Sequence, residues 1–114
     1  MSKDLNKSML IGRLGQDPEM KYLDSGAAVC SFSIATNDDY TGKDGGKVEQ
    51  TDWHNIEAWG KLAEICGEYL TKGKQVYIEG QMKTRSWEKD GVKQYRTSIK
   101  AINMQMFGGK GDQK

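Results

Sequence analysis

Cysteine and histidine are almost missing from this sequence, which has only Cys30, Cys66 and His54. Two widely separated cysteines cannot make a disulfide framework or a zinc site, and both fall at apolar-patterned positions. They read as buried free thiols in a reducing compartment. His54 has no cysteine or second histidine at ligand spacing, so it reads as a structural side chain, with no metal or other cofactor expected. Long apolar runs are absent too: there is no stretch of about 18 such residues, and MSKDLNK at the N-terminus lacks the basic-then-apolar order of a secretory signal. The reading is a soluble cytoplasmic chain with no membrane partner. Apolar residues make up only 36% of the 114, and mean hydropathy is −0.77. That suits one small β-domain with a binding face and a subunit interface.

Net charge is scarce as well, at +1, but it is unevenly spread. Between residues 38 and 70, three lysines face eight acids; between 71 and 100, eight cations face three acids. The near-neutral total therefore hides a basic C-terminal half able to attract phosphate.

Against this polar background stand Trp53, Trp59 and Trp87. A lone tryptophan is more often a core or interface anchor than a recognition element. These three lie among charged residues, however, and Trp53 and Trp59 share parity, so a strand would aim both at one face. Indoles beside cations are what stacking on unpaired bases requires.

Periodicity organises the chain. KSMLIGRL (7–14) reads as a strand, closed by the GQDPE turn and briefly resumed at Met20 to Leu23. Cys30, Phe32 and Ile34 alternate with Ser31, Ser33 and Ala35 in a second strand. A flexible excursion runs from Asn37 to Gln50, with Tyr40 at its root. TDWHNIEAW (51–59) is a third strand, with Trp53, Asn55, Glu57 and Trp59 on one side and His54, Ile56 and Ala58 on the other. Leu62, Ile65, Cys66, Tyr69 and Leu70 recur at helical spacing. Lys74 to Arg85 and Tyr95 to Met106 read as the last two strands, joined by Ser86 to Gln94 with Asp90-Gly91 as the turn signal, and Gly80 marks a bulge. The expected fold is all-β: a five-stranded Greek-key OB-fold barrel over residues 1–107, with one short helix between strands 3 and 4. A disordered Gly-rich tail is expected over 108–114. Such barrels bind oligonucleotides across strands 2 and 3 and the hairpin loops.

The blocks GRLGQDPEMKY (12–22), EQTDWHNIEAWGKLAEICGEYLTKG (49–73), QVYIEGQMKTRSW (75–87) and MQMFGG (104–109) give the chain a strong resemblance to the bacterial single-stranded DNA-binding protein family, of the homotetrameric type. The resemblance implies sequence-independent binding and protection of single-stranded DNA in replication, recombination and repair, in association with the nucleoid and without catalysis. It assigns base stacking to Tyr40, Trp53, Trp59 and Trp87. Phosphate tracking falls to Lys3, Lys21, Lys43, Lys61, Lys72, Lys83 and Arg85. The binding surface also takes in Arg13 and the stretch His54, Asn55, Ile56, Glu57 and Ala58. Arg13, Asn55 and Ser86 depart from the residues relatives often carry there, so individual contacts have moved. Homotetramer contacts are implied along the first strands and at Lys7, His54, Gln75, Tyr77 and Glu79. Enzyme recruitment through an acidic tail is not expected, because the last seven residues hold one acid, Asp112, against Lys110 and Lys114. Two other readings stand beside this one. A nuclease would use Asp38, Asp39 and Asp44 as metal ligands, and an RNA-binding module could use the same barrel.

Overall fold

The period-two segments become strands and the helical repeat becomes a helix. The computed structural model describes residues 4–107, so Lys3 and the expected tail at 108–114 lie outside the described residues. Within them the order is β1 (Ser8–Leu14), β2 (Glu19–Tyr22), β3 (Ala28–Asn37), β4 (Tyr40–Thr41), β5 (Lys47–Val48), β6 (Thr51–Trp59), α1 (Lys61–Tyr69), β7 (Gln75–Lys89) and β8 (Val92–Met106).

The main sheet runs β1-β7-β8-β6-β3-β2, and β1 also pairs with β3 through Arg13↔Ala35 and Leu14↔Ile34. That extra pairing closes a ring of five strands. β2 and the end of β1 share one edge of β3, so the interrupted first strand of the sequence becomes two pieces flanking the Gly15 to Pro18 turn. The ring's other seam is parallel and short, Ile56↔Ile99 and Glu57↔Lys100 between β6 and β8.

The core follows from alternation. Cys30, Phe32 and Ile34 point inward from β3 to meet Ile56, Ala58, Val76, Ile78 and Ile99. Each fully buried isoleucine contributes about 1.5–3 kcal/mol relative to exposure. Helix α1 plugs the ring with Ala63, Cys66 and Leu70. Tyr69, expected on the helix's apolar stripe, is instead 54% exposed, because the inward line runs 63–66–70. Burial pushes the Cys30 thiol up to about 11 and the Cys66 thiol up to about 12, the latter also through Cys30.

The expected bulge is present: register slips between Glu79 and Gly80 against β8, and a side chain at Gly80 would collide with the Lys100 carbonyl. The last hairpin differs from expectation. Ser86 to Gln94 is not a loop, because β7 continues to Lys89 and β8 starts at Val92. Only Asp90 and Gly91 turn, with φ of 54° and 78°, the two-residue turn whose twist matches paired strands. A long two-stranded ribbon results.

Candidate nucleic-acid interface

Cross-strand register builds an outward surface row by row. Trp59 stands beside Val29 and Lys21; Glu57 beside Ser31 and Glu19; Asn55 beside Ser33; Trp53 beside Ala35 and Arg13. Opposed residues share a face, so β1, β2, β3 and β6 present one floor with an indole at each end. The turn holds Trp53 in place from below, since any side chain at Gly15 would collide with its ring.

The β7–β8 ribbon forms the wall. Lys83, Arg85 and Trp87 occupy one of its faces with Gln94, Arg96 and Ser98, and Lys100 follows at the base. Arg85 reaches across to the floor, donating from Nη2 to Glu57 Oε1 at 2.7 Å, and Lys100 Nζ lies 6.0 Å from the Trp59 ring centroid. Trp59 therefore lines clefts with Lys21, Lys83, Arg85 and Lys100. Another cleft joins Asn55, Glu57, Arg96 and Ser98 to the β1–β2 turn. Trp53 lines a separate cleft with His54, Asn55, Met82 and Thr97, from the ribbon's other face.

The aromatic rings do not fill the core. Phe32 is its only aromatic among the described residues. Trp53 is 59% exposed, Tyr40 53% and Trp87 46%, and Trp59 is half-buried at the cleft wall. Tyr40 starts the small β4–β5 hairpin, whose turn carries Lys43. Trp87 sits on the ribbon opposite Gln94, not in a loop.

Several expected contacts change. Ile56 and Ala58 are 1% and 0% exposed, their side chains committed to the core, so they are no part of the surface. Glu57 is a carboxylate that accepts from Arg85, so it pairs with a cation and is not itself a phosphate ligand. His54 is half-buried and shares a hydrogen bond of 2.9 Å with Thr36 Oγ1. Arg13 holds the Gly73 carbonyl at 3.0 Å while staying in the Trp53 row. Lys61 opens α1 and Lys72 follows it; both are exposed and neither lines the clefts described, although Lys72 N–H donates to Asp17 Oδ1 of the β1–β2 turn at 2.8 Å. Arg96 and Lys100 were not singled out in the sequence, yet both line the clefts. Only the register of β8 against β7 puts them on the face of Lys83 and Arg85.

Of the expected subunit contacts, Lys7, Gln75, Tyr77 and Glu79 come together on the outer face of β1 and β7, whereas His54 stands apart on β6. Lys7 Nζ is 2.9 Å from Glu79 Oε2, and the Tyr77 hydroxyl donates to Glu79 Oε1 at 3.0 Å. The hydrogen bond and charge of Glu79 hold the Lys7 ammonium above its usual range, and the bonds from Lys7 and Tyr77 hold the Glu79 carboxyl below its own. Beside this cluster, Met9 and Ile11 are 61% and 52% exposed on β1, whose edge before Arg13 has no strand partner among the described residues.

A closed five-stranded barrel plugged by one helix, with exposed rings and cations along an outer groove, defines the OB-fold class of oligonucleotide-binding domain. The chain belongs to the Single-strand binding protein family, whose profile it matches over residues 5–107. It is 52% identical over 112 residues to "Single-stranded DNA-binding protein 1" of Chlorobaculum tepidum, covering 96% of this chain and 69% of that one. It is 49% identical over 109 residues to "Single-stranded DNA-binding protein" of Neisseria meningitidis, covering 95% and 63%. Among solved structures it resembles the Plasmodium falciparum SSB complex with ssDNA, at TM-score 0.85 and 33% identity over 95% of this chain and 99% of that one. It also resembles a deletion mutant of the Thermus aquaticus single-stranded DNA binding protein, at 0.80 and 34%, covering 94% and 52%.

Proposed function

We propose that this chain is a non-catalytic coat for single-stranded DNA, holding bases on Tyr40, Trp53, Trp59 and Trp87 and phosphates on Lys21, Lys43, Lys83, Arg85, Arg96 and Lys100. One observation carries the reading: all three tryptophans stand outside the core, Trp59 in clefts lined by Lys21, Lys83, Arg85 and Lys100, Trp87 on the ribbon face of Lys83, Arg85 and Arg96, and Trp53 in the row of Arg13. Exposed indoles lose apolar stabilisation in the free protein, and a stacked base restores it. Relatives bear names that state this binding. Among the described residues no helix is long and apolar enough to cross a membrane. The site of action is the cytoplasm, on the nucleoid. Protection during replication, repair and recombination follows from the same coat.

The test is alanine substitution of each ring, with melting temperature and oligo(dT) affinity measured on the same samples. Stacking is worth ~1–3 kcal/mol per base, so each loss should weaken binding about 5- to 150-fold with the fold intact. Trp53 should cost most, because Gly15 and β6 fix its direction, and Tyr40 least. Unchanged affinity across all four would remove the assignment.

We also propose a homotetramer. The unpaired β1 edge with Met9 and Ile11 suits strand pairing between two copies, and the Lys7, Gln75, Tyr77, Glu79 surface suits a second contact; His54 is expected to act at the first, since its partner Thr36 lies beside Gly12 of β1. Replacing His54 with a charged residue should loosen assembly at low concentration. A parent chain that sediments as a monomer at every concentration is incompatible with it. The nuclease reading has little support, because its acids serve their own loop: Asp44 accepts from Gly46 N–H and Asp39 from Gln50 N–H. Competition between DNA and RNA oligomers of equal length separates the remaining alternative.

A further inference from the structure

We infer that Tyr95 is a second base-stacking platform, on the face of the β7–β8 ribbon opposite Trp87; the inference rests on the single-stranded DNA reading above. Register divides the ribbon into two faces. Lys83, Arg85, Trp87, Gln94 and Arg96 lie on one, and Met82, Thr84, Ser86, Glu88, Lys93, Tyr95 and Thr97 lie on the other, with Glu88 opposite Lys93. Trp59 opens onto the first face, through the cleft it shares with Lys83 and Arg85. Trp53 opens onto the second, through the cleft it shares with Met82 and Thr97. A strand leaving Trp59 finds Trp87 ahead of it, whereas a strand leaving Trp53 along the ribbon meets Tyr95.

The ring is built for that use. Tyr95 is 65% exposed, and Lys93 Nζ lies 5.9 Å from its centroid, placing a cation where the phosphate of a stacked nucleotide would run. Between the Trp53 cleft and Tyr95 the ribbon offers the Thr84 and Thr97 hydroxyls, bonded to each other at 2.9 Å and still exposed for a sugar or phosphate. From the Met82 rung to the Ser86–Tyr95 rung is four residues of strand, about 13 Å. This face has one ring, one ammonium opposite the Glu88 carboxylate, an exposed Met82 at its base and a row of hydroxyls; the ring offers a base its stacking surface, and the ammonium and hydroxyls offer partners to a phosphate and a sugar.

Two variants test it. With an oligo(dT) of about 16 nucleotides, Tyr95→Ala should bind about 5-fold or more weakly than the parent. In a chain whose Trp53, Trp59 and Trp87 are replaced by Phe, Tyr95→Trp should emit, and its emission should be quenched by the same oligomer. The second readout is independent of any loss of stability in the alanine variant. Equal affinity of parent and Tyr95→Ala, or reporter emission unchanged at saturation, overturns the inference while leaving the parent's binding intact. So does a Tyr95→Ala effect confined to self-association in sedimentation. A parent that fails to bind oligo(dT) is a different result, which overturns the single-stranded DNA reading and this inference together.

Discussion

Glu57 shows how one side chain can work against its own surroundings. It sits on the floor proposed to hold DNA, beside Trp59, and its carboxylate pairs with the Arg85 guanidinium at 2.7 Å. A phosphate must compete with that carboxylate for the arginine. Glu57→Gln should therefore raise affinity for oligo(dT) about 2- to 5-fold at low salt, the scale of an exposed ion pair. It should also steepen the dependence of log affinity on log salt by about 0.7, one extra phosphate contact on a single strand. An unchanged salt slope would mean that Arg85 stays off the phosphates. The neighbours of Glu57 also mark where the sequence was readable. Alternation put Ile56 and Ala58 on the side away from the indoles, where they are buried, against the binding role that the family resemblance implied for them. Arg96 and Lys100 were harder, since only the register of β8 against β7 says which of its faces joins Lys83 and Arg85.

That register is decided at a single element, the bulge at Gly80. Because side chains alternate, a slip of one residue would turn Arg96 and Lys100 away from the clefts and bring Tyr95 and Lys93 in. The sequence signalled a bulge at this glycine but not its size or its partner, which depend on contacts with residues far along the chain. The Asp90-Gly91 turn was legible, yet the ribbon it closes was expected to be shorter: Ser86, Glu88 and Lys93 have no apolar alternation to mark a strand, and pairing alone holds them there. Gly80→Ala should test the bulge. Its Cβ meets the Lys100 carbonyl on the backbone, which cannot rotate aside, so a loss of about 1–3 kcal/mol in denaturant unfolding is expected. Loss of DNA affinity beyond that of unfolding would follow from misplaced Arg96 and Lys100.

At the scale of the whole molecule, the Lys7–Glu79–Tyr77 cluster ties the approach to β1 onto β7. A carboxylate whose pKa is depressed in the folded chain stabilises fully above its unfolded value, and that contribution drains as pH falls through the folded one. For Lys7 the sign reverses: its raised pKa gives stability that is complete below the unfolded value and fades as pH rises through the folded one. The cluster is thus whole at neutral pH. Melting temperatures of the parent and Glu79→Gln should differ at pH 7 and converge below the ordinary carboxylate range. Curves that stay parallel throughout would place the effect of Glu79 outside its charge.

The ring itself is held shut by two pairs of residues at β1–β3 and two at β6–β8, between sheets that are otherwise paired along most of their length. Mechanically it is two curved plates with a short latch at each junction. Opening should concentrate at those latches, where few backbone bonds must break at once. The floor residues of β2, β3 and β6 belong to one plate, and the ribbon, with Arg13 of β1, to the other, so a polymer lying across both acts as a brace. Binding would then narrow the barrel's own fluctuations, and part of the affinity would be spent on quieting the protein.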